Sequence, residues 1–246
     1  MRNIKLVLEY DGSRYHGWQR LGKDESTNTI ENKIIEVIKK MTNEEVELFC
    51  GSRTEVGVHA YNQTANFKTK CALKPYEIKH YLNRYLPMDI AILNVEEMHE
   101  RFHSSLNAIS KKYLYRIAIG DVPSVFDRKY TYYCFDSLNI KAMSEAAKLL
   151  EGTHDFKNFS TVKRSKSTVK TLYSVDISAD AKEIQITMHG TDFLHNMARM
   201  ISSTLIDIGL GKKSVNVIEQ ILEDNKNTLS SAPADAQGLF LQEILY

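Results

Sequence analysis

No cysteine pair in this chain has metal or redox spacing. The three cysteines, Cys50, Cys71 and Cys134, lie far apart, and no Cys-x-x-Cys occurs. A zinc ribbon and a thioredoxin-like motif are therefore excluded. His59 has no second His or Cys at ligand spacing, so the pattern offers no metal site. Scattered thiols in odd number fit reduced, packed side chains in a cytoplasmic protein. No stretch of ~18 apolar residues exists to span a membrane. The apolar N-terminal run is broken by Lys5 and Glu9, so no signal peptide is expected. Proline is scarce, with 4 in the chain, and no Gly/Ser linker stands out. Charge of one sign is also lacking: Lys+Arg is 32, Asp+Glu is 31, and the formal net charge is +1. That excludes a polycation but not a local basic cleft, because a partner feels the field of a patch rather than the sum.

What is present is an alternation of element types over 246 residues. Ile4 to Tyr10 reads as a strand closed by Asp11-Gly12. Asn28-Thr-Ile-Glu31 resembles a capping box before a helix with Ile30, Ile34, Ile38 and Met41 on one face. Strands are expected at Val46–Phe49, Gln63–Lys68 and Ile90–Val95, with a helix opened by Pro75 between the last two. In the second half, strands are expected at Tyr113–Ile119, Thr171–Ala179, Glu183–His189 and Leu239–Leu245. Helices are expected at Asn139–Leu150, Leu194–Ile208 and Val215–Leu222. Gly152 is read as the stop of the first of these. Two α+β halves, residues 1–105 and 106–246, fit this pattern.

Four segments could carry chemistry. Tyr10 to Arg20 places Arg14, His16, Trp18, Gln19 and Arg20 among two glycines directly after a strand. Arginines meet phosphates in bidentate fashion, and aromatic faces can stack on unpaired bases. A turn with aromatic packing is the plainer reading of the same residues. Gly51 to Ala60 places Arg53 two positions before Glu55. A carboxylate held ionised by an arginine suits attack on, or charge stabilisation at, a sugar carbon. An exposed ion pair is the plainer reading there, and His59 reads as a packed or hydrogen-bonded histidine. In Ser110 to Arg116, alternation puts Tyr113 and Tyr115 on one face and Lys112 and Leu114 on the other. A tyrosine there could stack a flipped base or belong to the core. Finally, two runs contain no acid: Arg101 to Gly120, and Lys157 to Val175, which includes Lys157, Lys163, Arg164, Lys166 and Lys170 with Phe159 and Tyr173. Basic runs with interleaved aromatics suit a nucleic-acid backbone and its bases.

These residues together resemble the tRNA pseudouridine synthase A family. The matching motifs are Tyr10-Asp-Gly-Ser-x-x-x-Gly-Trp-Gln19, Ser52-Arg-Thr-Glu-x-Gly-Val-His-Ala60, Leu86-Pro87, Arg101-Phe-His103 and Lys112-Tyr-x-Tyr115. Gly152-Thr-His-Asp-Phe156, Phe193-Leu-x-x-Met-x-Arg199, Ala232-Pro233 and Gly238-Leu-Phe-Leu241 follow in order. The resemblance implies two ferredoxin-like halves forming a continuous, mainly antiparallel sheet, with helices on one side and an RNA cleft between the halves. It implies a homodimer without metal or organic cofactor that isomerises uridines 38 to 40 in the tRNA anticodon stem-loop. The family's catalytic Asp, in Arg-Thr-Asp, aligns with Glu55. Arg53 would escort that carboxylate or wedge at the flipped base, Tyr113 would lie against the uracil, and Arg199 would pair with the carboxylate. Arg14, His16, Trp18, Gln19, Arg20, His59, His103, Lys111, Lys112, Lys163, Arg164, Lys166 and Lys170 are the expected RNA contacts.

The chain departs from the family at chosen points. Glu55 replaces Asp, Ser105 stands where Arg is usual, Lys170 replaces Arg, and Glu31 replaces a frequent Gln. A lysine cannot reproduce a bidentate arginine contact. Two readings follow: a divergent pseudouridine synthase using Glu55, or an RNA-binding paralogue with weak or no catalysis.

Overall fold

The computed structural model describes residues 1–20, 22, 26–161, 167–223 and 230–246. It is a mixed α+β protein with a large, mostly antiparallel sheet. Among the described residues, no helix is long and apolar enough to cross a membrane. The chain divides into two compact units: Met1–Ile109 with Leu241–Tyr246, and Ser110–Phe240.

The first unit runs β1 (Arg2–Tyr10), α1 (Ile30–Thr42), β2 (Leu48–Cys50), β3 (His59–Thr69), α2 (Pro75–Tyr85) and β4 (Ile90–Met98). The strand order is β4-β1-β3, with β2 on the far side of β3. Every one of these pairings is antiparallel. This is the split βαβ pattern of a ferredoxin-like unit. Its core follows the element periods: Ile4, Leu6 and Leu8 of β1 are fully buried, and so are Ile30, Ile34 and Ile38 of α1. The cap of α1 differs from the expected box. Thr29 is the N-cap, its hydroxyl accepting from the Asn32 amide, while Asn28 donates its side-chain amide to the Arg14 carbonyl. Glu31 turns instead to the Arg20 amide. Thr29→Ala should cost about 1 kcal/mol, read as a lower denaturation midpoint at unchanged slope.

A buried amide network fastens the Arg101-Phe-His103 segment to this sheet. Asn66 donates to Asn3 at 3.0 Å and accepts from both the amide and the hydroxyl of Ser104 at 2.8 Å. Asn3 donates to the Phe102 carbonyl at 2.8 Å.

The second unit carries β5 (Ser110–Ala118), β6 (Tyr132–Tyr133), α3 (Ile140–Lys148), β7 (Gly152–Asp155), β8 (Val169–Ala179), β9 (Glu183–Gly190), α4 (Met197–Gly209) and α5 (Val217–Glu223). Its strand order is β5-β9-β8-β7. Gly152 opens β7 at φ +107° rather than ending the helix before it. The helix expected from Leu194 starts at Met197, because Asn196 is left-handed (φ 61°) and Leu194 to Met197 form a turn. The last strand, β10 (Leu239–Leu245), begins with Leu239 and Phe240 in the second unit and continues into the first, beside β3. A single cut between 105 and 106 therefore leaves out residues 106–109 and Leu241–Tyr246, all of which the first unit contains.

Candidate active site and nucleic-acid interface

In the first unit the two glycine-bearing loops brace each other. Asp11 caps a short turn by accepting from the Ser13 amide at 2.9 Å. Gly12 then lies so close to the second loop that a Cβ there would sit 2.0 Å from the Val58 carbonyl oxygen. Its amide donates to Nδ1 of His59 at 3.1 Å. Gly17, at φ +83°, brings the Trp18 amide to the Thr54 carbonyl at 3.0 Å. The Thr54 hydroxyl lies 2.8 Å from that of Tyr10, and Gln63 donates to the Ser52 carbonyl at 2.6 Å. Burial raises the Tyr10 pKa, so its hydroxyl stays protonated as a hydrogen-bonding post.

The consequence falls on Arg53 and Glu55. Ser52 and Thr54 are buried and tied, Arg53 is exposed and Glu55 is half-buried. The loop thus alternates anchored and presented side chains. It holds a guanidinium and a carboxylate two residues apart on a backbone fixed by its neighbours.

Two expected RNA contacts are corrected here. Trp18 is 1% exposed and packs with its ring 5.9 Å from that of Tyr10, so it is core rather than a stacking surface. His59 is equally buried and receives the Gly12 amide. Arg14, His16, Gln19 and Arg20 are exposed. Arg14 is paired with Asp89 at 2.6 Å, and Tyr15 donates to the same carboxylate. His103 is half-buried against Phe49, and its Nδ1 accepts the amides of Ser105 and Leu106.

Glu31 accepts the Arg20 amide at 2.5 Å. Burial pushes its carboxyl pKa up, against the opposing pull of the Arg20 amide and the charges of Arg53 and Arg20. An acid whose pKa is raised by folding stabilises the fold below its unfolded pKa and loses that contribution as pH rises through the folded one. Glu31→Gln should therefore gain stability over wild type as pH rises above the ordinary Glu range, with little difference at pH 4. Melting temperatures of both proteins from pH 4 to 7 check this. A constant difference would show that the charge is not the cause.

In the second unit Tyr113 is 5% exposed, with its ring edge-on to Phe193 at 4.8 Å between centroids. Tyr115 is core. Its hydroxyl donates to the Asp235 carbonyl at 3.0 Å, and a Cβ on Gly238 would sit 2.9 Å from its ring. Arg199, in the first turn of α4, donates to the Ala234 carbonyl at 2.6 Å and to Asn196 Oδ1 at 2.9 Å. The segment that follows Ala232-Pro233 therefore meets both side chains, Ala234 at Arg199 and Asp235 and Gly238 at Tyr115.

The acid-free runs acquire acids through the fold. Arg116 makes a two-pronged contact with Glu183 at 2.8 and 2.6 Å. Lys111 and Lys170 both reach Asp192. Lys112 lies opposite His189 on the neighbouring strand, and alternation puts it on the sheet face away from Tyr113. Lys163, Arg164 and Lys166 lie outside the described residues. Asp192 and Asp89 were not singled out from the sequence. Each is an isolated acid whose only signal is its place beside a motif, before Phe193 and after Leu86-Pro87.

The family model described as tRNA pseudouridine synthase matches residues 6–105 and 146–246. The tRNA pseudouridine synthase A 2 of Bacillus cereus is 46% identical over 245 residues, covering 99% of this chain and 99% of the relative. The tRNA pseudouridine synthase A 2 of Clostridium tetani is 43% identical over 249 residues, covering 100% of this chain and 99% of the relative. A second protein of that organism, tRNA pseudouridine synthase A 1, is 41% identical over 247 residues and covers both chains fully, at 100% each.

Proposed function

This chain belongs to the tRNA pseudouridine synthase family, and we propose that it uses Glu55 to isomerise uridines 38 to 40 in the anticodon stem-loop of tRNA. The enzyme is an isomerase. The reaction breaks the N1–C1′ bond of uridine, turns the base and forms a C5–C1′ bond. The proton lost from C5 is balanced by one gained at N1. No group is added or removed overall, so the chemistry asks for a charge at the ribose and a surface that holds the loose base.

One observation carries this reading: Arg53 and Glu55 are presented from a loop whose alternate residues, Ser52 and Thr54, are buried and hydrogen-bonded. A carboxylate so placed can act as a nucleophile at C1′ or as a base at the ribose. Arg53 then escorts the carboxylate or occupies the gap left by the flipped base. Tyr113, held edge-on by Phe193, serves as the wall for the uracil. The family resemblance assigns Arg199 as the cation that accompanies the catalytic carboxylate. The exposed Arg14, His16, Gln19 and Arg20, with the lysines of the second unit, contact the RNA backbone. We take the protein to be a cytoplasmic homodimer, on the family resemblance, and light scattering in solution tests the dimer.

The experiment incubates purified protein with anticodon stem-loop transcripts carrying a single uridine at 38, 39 or 40, and maps pseudouridine chemically. Conversion at these positions is expected. Conversion of whole tRNA at other uridines alone would reject the target. Tight binding without conversion of any RNA would establish the silent, RNA-binding reading instead.

A further inference from the structure

We propose that Lys111, Lys170 and Asp192 form a seat for one RNA phosphate beside Tyr113, with Asp192 as its positioning residue; the proposal rests on the tRNA-modifying reading above. The three side chains come from three separate segments. One oxygen of Asp192 lies 2.6 Å from Lys111 Nζ and the other 3.3 Å from Lys170 Nζ. The lysine side chains are 12% and 17% exposed, while Asp192 is 43% exposed. Two ammonium groups that would otherwise repel each other are thus drawn to one point at the surface.

The charges and donors fit a single ligand. Two cations and one anion leave a formal charge of +1, matched by one phosphodiester. Each ammonium has three donors, so its bond to Asp192 leaves others for a phosphate oxygen. Burial pushes the Asp192 carboxyl up, but the two lysines outweigh it and hold the pKa below the usual value, so the bridge persists at neutral pH.

The location is what gives the seat meaning. Lys111 and Tyr113 are two residues apart on β5, hence on the same sheet face and about 7 Å apart along the strand. Asp192 directly precedes Phe193, the ring against Tyr113. The turn carrying both is pinned to β8 by the Thr191 amide donating to the Thr171 carbonyl at 2.9 Å. One short turn therefore sets both the base wall and the phosphate seat. A nucleotide whose phosphate rests on the lysines has its base within reach of Tyr113.

The test measures tRNA affinity from low to moderate salt for wild type, Lys111→Gln, Lys170→Gln and the double variant. Each single variant should reduce the steepness of log affinity against log salt by about 0.7–0.9, the share of one phosphate. The double variant should lose no more than either single one, because the phosphate is shared. Lys111→Arg, which keeps the charge, should retain the wild-type slope. Asp192→Asn should lower kcat at least tenfold with KM changed less than threefold, and Asp192→Glu should recover part of the loss. Unchanged slopes in both single variants, or losses that sum to two phosphates, overturn the seat. Tighter binding by Asp192→Asn at unchanged kcat would mean that Asp192 only masks the lysines, and would overturn its positioning role. Wild type that converts no tRNA uridine would reject the underlying reading, whereas active wild type with unaltered variant slopes rejects the seat alone.

Discussion

Glu55→Gln should abolish pseudouridine formation, lowering turnover on the order of 10² to 10⁴-fold, while tRNA affinity stays within about threefold of wild type. The substitution keeps the side chain's length and removes only its charge and basicity. Glu55 is half-buried in a loop held by Ser52 and Thr54, so the amide should occupy the same place. Glu55→Asp keeps the charge and draws it back by one methylene, towards the position of the family's Asp. It should remain active. A shift of about 1 Å in a reacting group can cost roughly a hundredfold, so the rate of this variant reports how far the loop is adapted to the longer side chain. Quantifying pseudouridine in one tRNA transcript with all three proteins separates the cases. Activity in Glu55→Gln equal to wild type would remove Glu55 from the mechanism.

Gly12→Ala should have the largest effect on stability. The added Cβ would meet backbone, 2.0 Å from the Val58 oxygen and 2.7 Å from the Val58 carbon, and neither can rotate away. Overpacking commonly costs about 1–3 kcal/mol, and this contact belongs at the upper end. For a chain of this size that corresponds to a fall of roughly 6–12 °C in Tm. The loop must also move, and the Val58 amide donates to the Glu55 carbonyl at 3.2 Å. Activity should therefore fall together with stability. Gly120→Ala is the comparison. Nothing lies within 4 Å of a Cβ at that position, and only its φ of +109° is unfavourable. Equal melting temperatures for the two variants, with full activity in Gly12→Ala, would show that the loops yield to each other.

The fold was legible where one period dominated. Alternating Ile4, Leu6 and Leu8, and the stripe Ile30, Ile34 and Ile38, announced β1 and α1 because a single buried face set each pattern. Short elements escaped. Tyr132–Tyr133 is a strand only through its pairing with β5, which no local pattern encodes. The presented carboxylate was legible as well, since glycines on both sides of Arg53-Thr-Glu55 signal a thin, positioned loop. Which aromatics face outward was not. Trp18 and Tyr10 occur in a motif that also suits base stacking, yet both are buried with their rings 5.9 Å apart. Charge was the least legible property. The two basic runs lack acids along the chain, yet Glu183 and Asp192 reach Arg116, Lys111 and Lys170 from distant segments.

The split membership of β10 bears on how the protein is made. Leu241–Tyr246 belong to the unit formed by the first 109 residues. There Tyr246 donates to the Ser104 carbonyl at 2.8 Å, and the Leu245 carbonyl receives the Ile109 amide at 2.8 Å. While the chain emerges from the ribosome, the unit bearing Glu55 has an open place beside β3 throughout synthesis of the second unit. Unpaired strand edges invite association with other chains. Contacts so distant in sequence also slow folding. The order of translation thus makes completion of the Glu55-bearing unit a late event, and a nascent chain stalled before residue 241 would expose that edge.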